Sequence, residues 1–288
     1  MDVKATLQKY ELSASQKFSQ NFLKDEQLAE RIVKAAQIQA EDSVLEIGTG
    51  LGILTKALAK NAAKVITFEK DKKLLAQLPF ILQTETQIEV IPQDFLTYDL
   101  SILQKRFKKI KVVANLPFHI STEVLFHLFE YRGWIESMTL MFQKEVAERI
   151  VSKPGTKVYG ILSVLSQLYS TPKICFSVSP HCFYPVPKVS ASIVNFQMKE
   201  GSLTQDIGLS SLKEKFLIKL VKSGFGQRRK TLLNSLKKLV SPEVLKKVTA
   251  HLGIDVKRRM ETFSLEEIKK LTEALYLESG DFTGPKDL

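Results

Sequence analysis

A stretch of four residues combines groups that could act on the amino group of a flat ring: Asn115-Leu116-Pro117-Phe118. The stretch follows an apolar run, Val112-Val113-Ala114, with the length and β-branched content of a buried strand. Pro117 fixes its own φ and disfavours the helical region for the preceding residue, so the chain should leave the strand in an extended turn. The Asn115 side chain and nearby backbone carbonyls would then accept hydrogen bonds, and Phe118 offers an aromatic face.

These groups suit methylation of an exocyclic amine on adenine. That amine is a weak nucleophile because its lone pair is delocalised into the ring. Two acceptors that hold its hydrogens, with an aromatic ring stacked on the base, would favour a tetrahedral nitrogen and aim its lone pair. No strong base is needed if the electrophile is a sulfonium. A strand that ends in a proline turn with an asparagine cap has the same four residues, so the motif alone leaves both interpretations open.

A glycine-rich turn forms the second candidate site. The predicted strand Ser43-Val44-Leu45-Glu46-Ile47 is followed by Gly48-Thr49-Gly50-Leu51-Gly52 and by a predicted helix from Ile53 to Lys60. A strand, a glycine turn and a helix in this order bring backbone N–H groups close to a ligand. The spacing GxGxG, rather than GxGxxG, argues against a dinucleotide pyrophosphate.

Two acidic residues follow the next predicted strands. Glu69 ends the strand Lys64–Phe68, about 20 residues after the glycine turn, where a carboxylate accepts hydrogen bonds from ribose hydroxyls. Asp94, with Phe95 beside it, follows the strand Ile88–Ile91 and is placed to contact an adenine ring. A sheet without a ligand would not need the turn and both acids, so the combination predicts a nucleoside-containing cofactor.

The order of elements predicts two domains. Helices and strands alternate as in a doubly wound sheet up to about residue 199, with helices at Ser121–Glu130, Lys144–Val151 and Val158–Tyr169 and strands at Met138–Phe142, Ile174–Ser179 and Ser190–Met198. Beyond Lys199-Glu200-Gly201-Ser202 the pattern is helical, with helices at Leu212–Lys222, Lys230–Leu239, Pro242–Leu252 and Ser264–Tyr276. We predict an α/β domain over residues 1–199 and a small C-terminal all-helical domain over residues 200–288.

Positive charge is concentrated in the predicted helical domain. Between Lys213 and Arg259 there are 14 Lys and Arg residues against three acidic ones, which accounts for the whole net charge of +11. Such segregation indicates a polyanion partner, although a solvated lysine-rich helix face gives the same pattern. Two basic clusters lie at predicted helix junctions, where they could reach phosphates: Arg228-Arg229-Lys230 and Lys257-Arg258-Arg259.

A proline-rich loop runs from Phe183 to Lys188. Phe183 could stack on a flipped base, but packing in the core is an equally good interpretation of the same residue. Lys188 could contact phosphate.

Composition excludes several classes of protein. The 288 residues are 44% hydrophobic with a mean hydropathy of −0.04, and no apolar run approaches the roughly 18 residues that a membrane span requires. The first ten residues have neither a signal-peptide nor a transit-peptide pattern. Cys175 and Cys182 form no CxxC and have no zinc-ligand spacing, so we expect no metal, no disulfide and a cytoplasmic location.

The chain resembles the bacterial ribosomal RNA small-subunit adenine dimethyltransferases from about Phe18 to Arg259. Six motifs in the family's order carry the resemblance: Gln20-Asn21-Phe22-Leu23, Leu45 to Thr55, Asn115 to Phe118, Gln143 to Arg149, Pro185 to Val189, and Arg228-Arg229-Lys230-Thr231-Leu232. It implies a Rossmann-like, S-adenosylmethionine-dependent methyltransferase domain and dimethylation of two adjacent adenines near the 3′ end of 16S rRNA. The implied partner is a 30S precursor, and we expect a monomeric enzyme.

The resemblance also implies site residues. The cofactor contacts of the family match Asn21, Leu23, Gly48, Glu69, Asp94 and Asn115, with Gly50 in the same turn. This chain departs from the family pattern at two positions. Thr49 replaces the usual proline, which should loosen the turn, and Phe118 replaces the commoner tyrosine, which preserves stacking.

Two other functions fit parts of the sequence. The related 23S rRNA adenine methylases of macrolide resistance share the first three motifs, whereas the basic helical tail favours the small-subunit enzyme. A non-catalytic RNA-binding assembly factor could keep the fold, but the intact Glu69, Asp94 and Asn115 argue against lost catalysis.

Overall fold

The computed structural model describes residues 2–15, 20–82, 86–199 and 211–278. Its strands are β1 (Phe22–Leu23), β2 (Ser43–Ile47), β3 (Lys64–Phe68), β4 (Ile88–Ile91), β5 (Ile110–Asn115), β6 (Ile135–Gln143), β7 (Ser170–Val178), β8 (Phe183–Tyr184) and β9 (Ala191–Met198). Its helices are α1 (Val3–Lys9), α2 (Glu26–Ala35), α3 (Ile53–Ala59), α4 (Lys72–Leu82), α5 (Ser101–Gln104), α6 (Ser121–Glu130), α7 (Lys144–Ile150), α8 (Ile161–Tyr169), α9 (Ser211–Gly226), α10 (Leu232–Leu236), α11 (Pro242–His251) and α12 (Leu265–Glu278).

A seven-stranded sheet has the strand order β4-β3-β2-β5-β6-β9-β7. The strands from β4 to β6 are parallel, and β9 pairs antiparallel with β6. The two central strands β2 and β5 are almost entirely buried, as expected for a parallel sheet covered on both faces. This arrangement confirms the predicted doubly wound α/β fold.

The topology brings several loops to one edge of the sheet. β2, β3, β4 and β5 run in the same direction, so the loops after Ile47, Phe68, Ile91 and Asn115 leave from the same edge. In open α/β sheets, ligands bind outside the carboxyl ends of the strands. The sheet therefore collects the predicted site residues from separate parts of the sequence.

Local signals in the sequence position two helices. Asp25 caps α2 and accepts a hydrogen bond from the Leu28 amide at 3.1 Å, and the apolar stripe of this helix, which includes Leu28, Ile32 and Val33, is buried. Ser264 and Glu267 form a reciprocal capping box at the start of α12, with distances of 2.8 and 3.1 Å.

The chain forms two compact units. The first contains Met1–Ala147 and Thr171–Met198, and the second contains Glu148–Ser170 and Lys199–Leu288. The predicted division at residue 199 placed residues 148–170 in the α/β domain, which differs from this grouping. The reason is that α8 packs against α9 and α12, so its apolar face completes the helical unit instead. Glu200-Gly201-Ser202, where the sequence predicted the boundary, lies outside the described residues.

Among the described residues, no helix combines the length and the apolar character needed to cross a bilayer.

Candidate active site

A cleft in the first unit lies at the carboxyl ends of the parallel strands. It brings together all the predicted cofactor and catalytic residues and also Phe183: Asn21, Leu23, Gly48, Gly50, Glu69, Asp94, Asn115, Leu116, Pro117, Phe118 and Phe183. Lys188 is exposed and does not line this cleft, and Arg228, Arg229 and Lys230 belong to the second unit.

The glycine turn uses much of its hydrogen-bonding capacity internally. The N–H groups of Gly48 and Thr49 donate to the Phe68 carbonyl at 2.9 and 3.1 Å, and the Gly50 N–H donates to Oε2 of Glu69 at 3.0 Å. The Gly50 φ of +55° explains why the turn needs glycine there. These three N–H groups therefore already have acceptors in Phe68 and Glu69, and contact between the turn and a ligand stays a prediction.

Thr49 ties the turn to β3. Its hydroxyl lies 2.8 Å from the hydroxyl of Thr67 and 3.4 Å from the Phe68 carbonyl, and both threonine side chains are buried. The loosening that we expected from a threonine at this position is not seen, since the side chain adds contacts that a proline cannot make.

Glu69 connects the turn to the loop after β3. One carboxylate oxygen accepts the amides of Lys70 and Asp71 at 2.9 Å each, and the other accepts that of Gly50. Burial raises the pKa of this carboxyl above its usual range, and the three N–H donors oppose that rise. The side chain is thus held in one orientation at the cleft.

Asp94 pairs with a residue that the sequence did not single out. Its Oδ1 accepts from the Leu96 amide at 3.1 Å, and its Oδ2 accepts from the Lys70 ammonium at 2.9 Å. The hydrogen bonds from Lys70 and Leu96 lower the pKa of Asp94 against the opposing effect of burial. Lys70 directly follows Glu69, and this adjacency was the available signal.

The Asn115 amide is oriented by the N-terminal segment. Its Nδ2 donates to the backbone carbonyl of Asn21 at 3.5 Å, so Oδ1 is the atom that can accept a further hydrogen bond. Leu116 is buried, whereas Phe118 is half-buried and its carbonyl accepts from the Ser121 hydroxyl at 3.0 Å. The turn therefore presents an acceptor and an aromatic ring to the same cleft.

The N-terminal segment is held against the cleft by two contacts. β1 pairs antiparallel with β8, with Leu23 opposite Phe183, and the Gln20 amide donates to Asp71 at 2.9 Å. Phe183 is only 1% exposed and belongs to the hydrophobic core, so the structure favours core packing over an open stacking surface for this ring. Residues 16–19, at the start of the resemblance, lie outside the described residues.

Glu46 is a cleft residue that the sequence reasoning missed. It is 1% exposed, its Oε2 accepts from the Thr55 hydroxyl at 2.7 Å, and among the described residues its Oε1 has no hydrogen-bond partner. Burial raises its pKa to about 8. A carboxylate inside the apolar run of β2 was the signal that could have identified it.

The second unit carries the basic surface. Arg228 is not a free phosphate contact, because its guanidinium donates to the carbonyls of Lys157 and Tyr159 and to Glu261. Arg258 is likewise engaged, with a double hydrogen bond to Glu267. Six exposed basic residues remain on the three segments that these arginines join: Lys153, Lys157, Arg229, Lys230, Lys257 and Arg259.

The chain is similar to known proteins over most of its length. A family model described as "Ribosomal RNA adenine dimethylase" matches residues 11–276. The "Ribosomal RNA small subunit methyltransferase A" of Clostridium botulinum (strain Loch Maree / Type A3) is 39% identical over 277 residues, which cover 96% of this chain and 99% of that protein. The protein of the same name from Caldanaerobacter subterraneus subsp. tengcongensis is 40% identical over 270 residues, covering 92% and 98%.

Solved structures show the same likeness. A dimethyladenosine transferase from Plasmodium falciparum superposes with a TM-score of 0.74 at 27% identity, covering 87% of this chain and 95% of that one. The 23S rRNA methyltransferase ErmE superposes with a TM-score of 0.68 at 26% identity, covering 88% and 99%. With its parallel sheet, its cleft and a family match over most of its length, the chain belongs to the ribosomal RNA adenine dimethylase family.

Proposed function

We propose that the protein transfers methyl groups from S-adenosylmethionine to N6 of two adjacent adenosines near the 3′ end of 16S rRNA, within a precursor of the 30S subunit. The observation that carries this proposal is that Asn115, Phe118 and the carboxyl groups of Glu46, Glu69 and Asp94 line one cleft. The relatives named as small-subunit methyltransferases, similar over almost the whole chain, support the choice of RNA.

The charges and hydrogen bonds of the cleft fit this cofactor. The carboxylates of Glu69 and Asp94 line it, and the N–H groups at the start of the glycine turn donate to Phe68 and Glu69, so the turn is poorly suited to a phosphate group. A cationic nucleoside without phosphates matches both features. We assign Glu69 to the ribose hydroxyls, Asp94 to the adenine amine, and Asn21, Leu23, Gly48 and Gly50 to the walls of the cofactor site.

The loop after β5 would hold the target base. S-adenosylmethionine supplies a methyl group on a sulfonium, so the protein needs only to orient the amine and its lone pair. Oδ1 of Asn115 would accept one N6 hydrogen, and a backbone carbonyl of the Leu116-Pro117 turn would accept the other. Phe118 would stack on the base, which must leave its helix to reach the cleft. Each transfer would break the bond between sulfur and the methyl carbon, leave a neutral thioether and release one proton from the nitrogen to water, so no side chain is required as a strong base.

The exposed basic residues of the second unit would hold the RNA backbone. Lysine and arginine contacts to phosphate are independent of sequence and steeply dependent on salt. We therefore assign Arg229 and Lys230 to phosphate contacts, together with Lys188 on the proline-rich loop of the first unit.

The decisive experiment maps methylated adenines by mass spectrometry after 30S particles and naked 23S RNA are incubated with the protein and labelled cofactor. Two adjacent dimethyladenines in 16S rRNA are the expected product. Methylation of naked 23S RNA alone would favour the macrolide-resistance type, to which the likeness to ErmE points. RNA binding with no cofactor binding in a titration would instead indicate a non-catalytic assembly factor.

A further inference from the structure

A buried hydroxyl pair links the two halves of the cofactor cleft. Thr49 lies in the glycine turn after β2 and Thr67 lies in β3, and their Oγ1 atoms are 2.8 Å apart. Their side chains are 4% and 0% exposed, so water does not compete for this bond. None of the functions assigned above uses either hydroxyl.

The Thr49 hydroxyl has one other acceptor nearby. Its Oγ1 lies 3.4 Å from the Phe68 carbonyl, against 2.8 Å from Oγ1 of Thr67. The shorter contact is the stronger one, because hydrogen bonds weaken as the donor and acceptor separate. The hydroxyl pair is therefore the main side-chain link between the glycine turn and β3.

The bond spans the place where a cofactor would cross from one strand to the next. Gly48 and Gly50 follow β2, whereas Glu69 follows β3, only two residues after Thr67. The main-chain bonds from the turn to Phe68 set the distance between the two strand ends, and the hydroxyl pair adds the side-chain contact that resists sliding of the turn. Sites of this kind need such support, because small misplacements are costly.

We propose that Thr49 and Thr67 form a positioning pair that holds the glycine turn at a fixed place relative to Glu69 and thereby sets the affinity for the cofactor. The proposal rests on the proposed function, since it concerns the cofactor assigned there. Neither residue would touch the reacting atoms, so the pair would affect cofactor binding and not methyl transfer in the saturated enzyme.

The test compares Thr49→Val, Thr67→Val and the double variant with a matched control, Thr139→Val. Thr139 is 1% exposed in β6 and its hydroxyl accepts from the Asn195 amide at 2.9 Å, so the control removes a similar buried bond outside the cleft. Calorimetry gives the Kd for S-adenosylmethionine, thermal melting gives stability, and single-turnover methylation at saturating cofactor gives the rate of transfer. Thr49→Ser and Thr67→Ser keep the hydroxyl and serve as rescue variants.

Each valine variant should weaken cofactor binding about five- to tenfold, the loss expected for one hydrogen bond. The double variant should be little worse than either single variant because both remove the same bond. The control Thr139→Val should melt at a similarly lowered temperature but bind the cofactor normally. The serine variants should also bind it normally. At saturating cofactor, the transfer rate of the valine variants should stay within about twofold of the unmodified protein.

Unchanged affinity in the valine variants, or an equal loss of affinity in Thr139→Val, would overturn the positioning role. Failure of the unmodified protein to bind the cofactor would instead refute the proposed function, and the positioning role with it.

Discussion

The amide of Gly50 donates to Oε2 of Glu69 at 3.0 Å, so one carboxylate joins the glycine turn to the end of β3. The same carboxylate accepts the amides of Lys70 and Asp71 through Oε1. Glu69 therefore has two functions in the proposed site, because it holds the backbone of the cleft as well as the ribose.

Replacing Glu69 by Gln tests the ribose contact with the least disturbance. Alanine would leave three backbone N–H groups without their acceptor, whereas glutamine keeps one carbonyl oxygen. We expect Glu69→Gln to weaken cofactor binding about 10- to 150-fold in calorimetry, since a hydrogen bond to a charged group contributes about 1.5–3 kcal/mol. Glu89→Gln, which removes a carboxylate paired with Arg106 outside the cleft, is the control and should bind normally. Equal affinity in the Glu69 variant would refute the placement of the ribose.

Asn115→Ala should slow methyl transfer without much change in RNA affinity. The Oδ1 contact matters most as the target nitrogen becomes tetrahedral and positive, and loss of a preorganised polar contact of this kind costs about 10²–10³ in rate. Single-turnover kinetics with saturating cofactor and RNA measures the effect. Mass spectrometry should also show accumulated monomethyladenine. The second transfer requires the cleft to hold an amine that has only one hydrogen left to donate, so it should depend more on the remaining acceptors. Full dimethylation at the normal rate would contradict the mechanism.

Methylation should depend on the aromatic ring of Phe118, and a hydroxyl added to that ring should have little effect. Base stacking on an aromatic side chain contributes roughly 1–3 kcal/mol. Phe118→Ala should therefore reduce the rate of methylation about 5- to 150-fold, whereas Phe118→Tyr should be nearly silent. Steady-state methylation of 30S particles measures both variants, and equal losses in the two would exclude stacking as the function of this ring.

In the cluster Arg228-Arg229-Lys230, we expect Arg228 to stabilise the fold and the other two residues to bind RNA. Arg228→Ala removes hydrogen bonds to two carbonyls and to Glu261, so it should lower the melting temperature. The double change of Arg229 and Lys230 to alanine should leave the melting temperature unchanged. It should instead flatten the slope of log K against log salt by about 0.7–0.9 for each phosphate that the variant no longer neutralises. An unchanged slope in the double variant would show that Arg229 and Lys230 are solvated and do not contact phosphate.

Glu46 should make stability depend on pH. Burial raises its pKa from 4.5 in the unfolded chain to about 8, so between these values the folded protein holds a proton that the unfolded chain has lost. The free energy of unfolding should therefore fall as pH rises through this window, by at most about 1.4 kcal/mol per pH unit for this group. The free energy of unfolding can be measured with denaturant from pH 5.5 to 8. It should change less with pH in Glu46→Gln than in the unmodified protein. The pH dependence that remains in the variant would come from Glu69, whose pKa is also raised by burial. The same slope in both proteins would show that Glu46 is ionised throughout.

The sequence by itself determined the central strands of the site and the residues that end them. Strand β5 and its proline turn, the glycine turn after β2 and the Asp25 cap follow from hydrophobic period and from the fixed dihedral preferences of proline and glycine, which act over a few residues. Since parallel strands end at one edge of a sheet, the gathering of Asn115, Glu69 and Asp94 could also be predicted.

Only the tertiary structure decided which partner each polar or aromatic side chain meets. Arg228 and Arg229 are neighbours and both are exposed, yet within the described part of the chain only Arg228 donates hydrogen bonds to Tyr159 and Glu261. Phe183 is buried by segments far from it in the sequence. Residues 148–170 likewise belong to the helical unit because they pack against helices far along the chain. Hydrogen bonds and burial depend on the distances between such segments, and local propensities do not determine those distances.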